Sequence, residues 1–132
     1  MAKISSSIRT DLYRIEIKSP TGNTLIADEP VDTGGKDTGL SPKELLAASL
    51  AACTSATVRM YADRKIWPLE EVKLEVELDW DGLKNTTVIT RNIQFIGPLD
   101  ADQKKRLLAI ANACPVHKIL SNPVEIITSV YE

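Results

Sequence analysis

The sequence predicts a single α+β domain with antiparallel pairing, and three observations carry that expectation. Strand-like and helix-like runs segregate instead of alternating, one long helix is marked off by clear start signals, and no repeat, low-complexity tract or linker interrupts the 132 residues. The expected order is three strands, a long helix, two strands, a helix, a short helix and a last strand.

The N-terminal stretch supplies the opening strands. "YRIEIKS" alternates Tyr13, Ile15 and Ile17 with Arg14, Glu16 and Lys18, and "SPTGN" gives turn chemistry before "TLIAD". The following "PVDTGGKDTGLSP" reads as a loop, of a length that tends to be functional or mobile. A helix starts at Pro42: Ser41 is a natural N-cap, proline suits the first helical position, and Glu44 completes a capping box. It runs to about Lys65, and its centre, "LLAASLAACTSATV", is small or apolar on nearly every face. Such a helix is expected to be buried on all sides, with alanines and serines that let a second helix approach closely.

"VKLEVELDW" alternates Val72, Leu74, Val76, Leu78 and Trp80 with charged residues, Asp81-Gly82 begins a hairpin turn, and "TVITRNIQFIG" returns. Arg91 falls in phase with Ile89, Ile93 and Phe95, so its stem is expected to lie on the apolar face and snorkel at the sheet end. Asp100 with Gln103 opens an amphipathic helix, Pro115 stops it and starts "PVHKIL", and Asn122-Pro123 breaks to a final strand, "VEIITSVY".

Composition narrows the function classes. With 43% hydrophobic and 26% charged residues and a formal charge of -2, the chain reads as a soluble globular domain large enough to fold without staples. Its densest basic run is Lys104-Lys105-Arg106, which argues against a nucleic-acid or anionic-membrane footprint. No unbroken apolar run approaches the roughly 18 residues of a membrane span. The start, "MAKISSSIRTDLYRIEI", lacks a signal-peptide core and reads as strand, so a cytoplasmic location is expected, where a permanent disulfide is disfavoured.

The two cysteines then pose the functional question. Cys53 lies mid-helix among small residues, a setting equally suited to inert core. Cys114 precedes a proline at a helix break, where first-turn amides and the helix dipole favour a thiolate. His117, the only histidine, follows one turn later and reads as an anchor of the short helix. Two cysteines and one histidine leave a structural zinc site a ligand short, so no metal and no cofactor are expected. Nor do Cys114 and His117, on one short helix, make a convincing nucleophile–base pair. A working thiol pair needs the two Cα atoms within about 7 Å, which sequence leaves open.

At these residues a family becomes recognisable. "GLSPKELLAASLAACTSATVRMYADRKIWPLEEV", followed by "ITRNIQFIGPLDADQKKRLLAIANACPVHKIL", resembles the OsmC/Ohr family of osmotically inducible and organic-hydroperoxide-resistance proteins. The likeness runs from about Tyr13 to the C-terminus and rests on Pro-x-Glu-Leu-Leu before Ala-Ala-Cys and on the later Cys-Pro-Val-His. It implies an OsmC-like fold: antiparallel sheets wrapped around two long central helices in an intertwined homodimer. It also implies a thiol peroxidase in oxidative-stress defence. Cys53 would attack a peroxide and become a sulfenic acid, Cys114 would resolve it to a disulfide, and an external dithiol such as a lipoyl group would restore both.

Members of that family hold the attacking thiolate with an arginine that a glutamate orients. The arginine comes from the first hairpin, where Arg9 is favoured over Arg14, and Arg91 is a third candidate. The glutamate position is Lys43 here, and Glu44 is offset by about 100° of helix rotation. Leu45, Leu46, Leu50, Met60 and Trp67 would favour organic hydroperoxides or serve equally as core. The first alternative is a non-enzymatic dimer that binds a small apolar ligand or senses redox state. A structural dimer with inert cysteines is the second.

Overall fold

The computed structural model describes residues 1–131, in two compact units that divide within the long helix, at Ala47 and Ala48. The first unit holds a three-stranded antiparallel meander of β1 (Ser5–Ile8), β2 (Ile15–Lys18) and β3 (Thr24–Ala27). Ser5 pairs with Lys18 and Ile8 with Ile15, while Ile15 pairs in turn with Ala27. The turn before β3 closes through the Gly22 amide, which donates to the Ser19 carbonyl at 3.1 Å, with Gly22 at φ 94°.

The glycine-rich loop after β3 is stapled back on itself. Asp28, 1% exposed, accepts from the Glu29 amide at 2.8 Å, the Thr38 amide at 3.1 Å and the Thr38 hydroxyl at 2.6 Å. The Asp28 amide donates to Leu40, and Ala27 and Leu40 form a parallel bridge. Gly39 makes this closure possible, since a Cβ there would sit 2.1 Å from the Ile26 carbonyl oxygen.

The long helix α1 (Pro42–Lys65) keeps the sequence-predicted bounds and the Ser41–Glu44 capping box, with the Ser41 amide donating to Glu44 Oε1 at 2.9 Å. The second unit packs it against the hairpin of β4 (Glu71–Asp81) and β5 (Thr86–Ile96) and against α2 (Ala101–Ala111). Val58, Ala62, Leu69, Leu107 and Ala111 form the core, flanked by Trp67, Val72, Ile93 and Phe95. Hairpin register sets Val76 opposite Arg91, and α2 opens on the expected Asp100–Gln103 capping box. Cys114 then caps α3 (Pro115–Leu120).

Two expectations are not met within a single chain, each for its own reason. The helix α1 buries only the stripe Leu50, Thr54, Val58 and Ala62, and leaves Leu46 and Met60 on the surface. One chain covers one face of a helix, so an all-round apolar composition exceeds what it can bury. The segment "VEIITSVY" forms no strand among the described residues, and Ile126, Ile127 and Val130 stand in the open. An extended run without a partner edge has nowhere to send its amides except to water. By length and composition alone α1 would also suit a bilayer, although the core helix of a soluble protein meets the same test.

Two outcomes follow from this architecture. Ile66 closes α1 at φ 55° with its side chain 90% exposed, a left-handed position that costs a β-branched residue about 1–2 kcal/mol. Ile66→Gly should therefore raise stability by about 0.5–1 kcal/mol in urea titration, after the unfolded chain's added freedom is counted. Asp28 has its pKa lowered chiefly by the Thr38 hydroxyl, against the opposing effect of burial. A depressed carboxylate stabilises fully above the ordinary value near 4 and loses that contribution as pH falls through its folded value. Asp28→Asn should lower Tm at pH 7, and the gap to wild type should close on acidification.

Candidate active site

Cys53 and Cys114 meet where the middle of α1 faces the corner between α2 and α3. Pro115 has no amide hydrogen, so the first free amides of α3 belong to Val116 and His117. They divide between the two sulfurs: Val116 donates to Cys53 Sγ at 3.5 Å and His117 to Cys114 Sγ at 3.4 Å. Cys53 lies near enough to Cys114 that its thiol helps to lower the Cys114 pKa. Cys114 is 0% exposed, while Cys53 is half-buried and open on one side. Both are free thiols, brought to the same corner of the fold.

Sequence reasoning misjudged Arg91. It does not snorkel to the sheet end but turns inward, and its guanidinium joins three helices. Nη1 donates to Thr54 Oγ1 at 2.9 Å and the Ala111 carbonyl at 3.3 Å, and Nη2 donates to Asn112 Oδ1 at 2.7 Å. Nη2 also lies 3.1 Å from His117 Nδ1. A guanidinium can only donate, so Nδ1 is the acceptor and the imidazole carries its hydrogen on Nε2. The His117 carbonyl meanwhile accepts from the Ser121 hydroxyl at 2.7 Å, so the residue does anchor α3, and it fixes the arginine besides.

Thr54, fully buried, was missed altogether. Its hydroxyl donates to the Leu50 carbonyl at 2.6 Å, accepts from Arg91, and stands 3.9 Å from Cys114 Sγ. The available signal was its place one residue after Cys53, on the buried side of the same turn.

These groups set the charge state of Cys114. Burial pushes the thiol up, but the His117 amide, the Cys53 and Thr54 hydrogen bonds and the Arg91 charge together bring it below its ordinary value. A thiolate at Cys114 therefore forms more readily than on a free cysteine. Beside it opens a cavity of about 400 Å³ lined by Leu50, Ile89, Arg91, His117 and Leu120 among others. Of the residues expected to line an apolar site, Leu50 alone reaches this cavity. Trp67 packs edge-on against Tyr61 in the core, and Leu46 and Met60 are exposed.

Arg9 and Glu44 belong to the first unit. Arg9 lines a depression of about 230 Å³ with Ser7, Asp11, Arg14 and Glu16. Arg14 pairs with Glu16 at 3.1 Å, both well exposed, as a solvated charge would. The Glu44 carboxylate accepts from the Ser41 amide, which, with the Ser41 hydroxyl, lowers its pKa. No cluster of metal-ligating side chains occurs among the described residues.

The charge state is open to direct measurement. In Cys53→Ser, which keeps a hydroxyl donor toward Cys114, thiolate absorbance near 240 nm should grow in below the ordinary thiol range around pH 8.5. The same titration in a Cys53→Ser/Thr54→Val protein should move upward. Equal midpoints would show that the hydroxyl contributes nothing.

The chain is similar to known proteins in sequence pattern and in fold. The sequence pattern of the OsmC-like protein family matches residues 34–129. The fold is similar to that of a protein from Psychrobacter arcticus 273-4 named for osmotic stress induction and a detoxification response, with TM-score 0.79 and 28% identity over 90% of this chain and 88% of that one. It is also similar to an organic hydroperoxide resistance protein OsmC from Legionella pneumophila, with TM-score 0.68 and 22% identity over 91% and 88%. For the organic hydroperoxide resistance protein OhrB of Bacillus subtilis the values are 0.61 and 23%, over 90% and 89%. The chain matches none of the curated protein sequences. With the family pattern spanning most of its length, both cysteines included, the chain belongs to the OsmC-like protein family.

Proposed function

We propose that the protein is a thiol-dependent peroxidase that reduces organic hydroperoxides or hydrogen peroxide in oxidative-stress defence. The observation that carries this reading is the asymmetry of the pair: two reduced sulfurs in contact, Cys53 reachable from solvent and Cys114 sealed. The names of the neighbouring hydroperoxide-resistance proteins support the same substrate class.

The chemistry starts from a proton on the thiol pair. Its passage from Cys53 to Cys114 leaves the accessible sulfur as thiolate, which attacks the terminal peroxide oxygen. The O–O bond breaks, alkoxide departs, and Cys53 becomes a sulfenic acid. The proton held at Cys114 is then available to the alkoxide, and the regenerated Cys114 thiolate attacks the Cys53 sulfur and expels hydroxide, which leaves as water after protonation. Two thiols and one hydroperoxide thus yield a disulfide, an alcohol and water. A dithiol reductant, of lipoyl type in this reading, closes the cycle.

The family resemblance assigns an arginine to the Cys53 thiolate, Arg9 in this reading, with Glu44, one residue past the family's glutamate position at Lys43, as its partner, and the protein would act as a homodimer in the cytoplasm. The exposed apolar residues Leu46, Met60, Ile126 and Ile127 support a second copy. A second reading, a redox-sensing or ligand-binding dimer, is favoured by the cavity beside Arg91 and by the engagement of Glu44 in the α1 cap.

One equivalent of cumene hydroperoxide should convert wild type within seconds to a species two mass units lighter. Cys114→Ser should instead accumulate a dimedone-reactive sulfenic acid on Cys53, and Cys53→Ser should lose turnover by at least about 100-fold. Thiols that remain reduced for minutes in modest excess peroxide would favour the second reading.

A further inference from the structure

The two sulfurs of the disulfide would not be equivalent toward a reductant. We propose that the reducing thiolate attacks Cys53 and that Cys114 is the leaving group, held by a charge-positioning device centred on Arg91. The inference rests on the dithiol cycle proposed above and adds its direction of reopening.

Three observations carry it. The first is access: the thiol pair presents Cys53 half-buried and Cys114 at 0% exposure, so an incoming thiolate reaches only one sulfur. The second is the receiving site. Cys114 lies within reach of the His117 amide at 3.4 Å and the Thr54 hydroxyl at 3.9 Å, and the Arg91 guanidinium is bonded to that same hydroxyl at 2.9 Å. A departing sulfur there gains the His117 amide and a fixed positive charge nearby, and thiol exchange is faster when the leaving thiolate is the better stabilised one. The third is the rigidity of that charge, because Ala111, Asn112 and His117 hold the guanidinium from two further helices.

The step balances. A reductant thiolate bonds to Cys53 Sγ, the Cys53–Cys114 bond breaks, and its electron pair stays on Cys114. The second thiol of the dithiol then attacks the reductant's own sulfur, releasing Cys53 as thiolate and the reductant as a cyclic disulfide. Arg91 touches neither the peroxide nor the reductant. It acts through Thr54 and the field at Cys114, and is a positioning residue.

The test starts from protein oxidised with diamide, which forms the disulfide whether or not the protein is a peroxidase. Brief exposure to glutathione, an acid quench and peptic mapping should place glutathione on Cys53 over Cys114 by at least about tenfold. Glutathione mainly on Cys114, or shared equally, overturns the inference. Failure of diamide to form the disulfide overturns it together with the proposed cycle. A disulfide that forms with diamide and opens at Cys53, in a protein inert to hydroperoxide, supports the inference while removing the peroxidase reading.

For Arg91 the decisive comparison is Arg91→Lys, which keeps the charge, against Arg91→Gln, which keeps amide donors without it. The rate of opening by glutathione should fall about 3- to 10-fold in Arg91→Gln and stay within about twofold in Arg91→Lys. In a Cys53→Ser background the Cys114 thiolate should also titrate higher with Gln than with Lys. Equal rates and equal titration in the two variants would reduce Arg91 to a packing role and overturn its part. The mapping on the unsubstituted protein stands even if neither variant folds.

Discussion

A guanidinium keeps its proton under all ordinary conditions, so an arginine drawn in among helices must find acceptors for its hydrogens. Arg91 does so on three helices at once: Thr54 in α1, the last residues of α2, and His117 in α3. Those bonds tie β5 to the corner carrying Cys114. The position is also favourable on charge grounds. The end of α2 presents carbonyls, the negative pole of a helix, and the thiolate-forming cysteine lies alongside. A neutral side chain of the same length would fill the space without setting the electrostatics.

The long helix shows a different constraint. Its buried stripe at four-residue spacing is what one sheet and one neighbouring helix can cover. The remaining apolar surface, with Leu46 and Met60 on it, is more than such a helix ordinarily leaves in water. The unpaired C-terminal run is a second excess of the same kind. Both are apolar surfaces that this chain by itself leaves in the open.

How much of this could be read from residues alone depended on whether the signal was local. The α1 start at Ser41-Pro42, the Asp100–Gln103 box and the Cys114-Pro115 corner are each decided within four residues, and each appears where expected. Hairpin alternation placed Arg91 on the correct face of β5. It could not say which way a long side chain would bend, because that depends on acceptors roughly 20 to 40 residues distant in sequence. The failed last strand shows the converse. "VEIITSVY" has the composition of a strand, yet a strand is a relation between two segments, and propensity records only one of them. The juxtaposition of Cys53 and Cys114 was legible as a family pattern and not as geometry. Thr54, an ordinary small residue in a helix of small residues, gave no signal until its neighbours were known.

The division of two adjacent amides between two sulfurs has a thermodynamic side. Val116 and His117 begin α3 with their hydrogens directed at Cys53 and Cys114. A thiolate is a good acceptor and a disulfide sulfur a poor one, so the first turn of α3 is better satisfied when the pair is reduced. Linkage runs both ways. In the proposed cycle, whatever the dithiol contributes to ordering that turn would return as a preference for the reduced state, and the couple would be more oxidising than two unconnected cysteines. Six residues of helix would thereby bias the redox poise of the proposed pair, and the corner proline, by withholding its own amide, decides which two hydrogens take part.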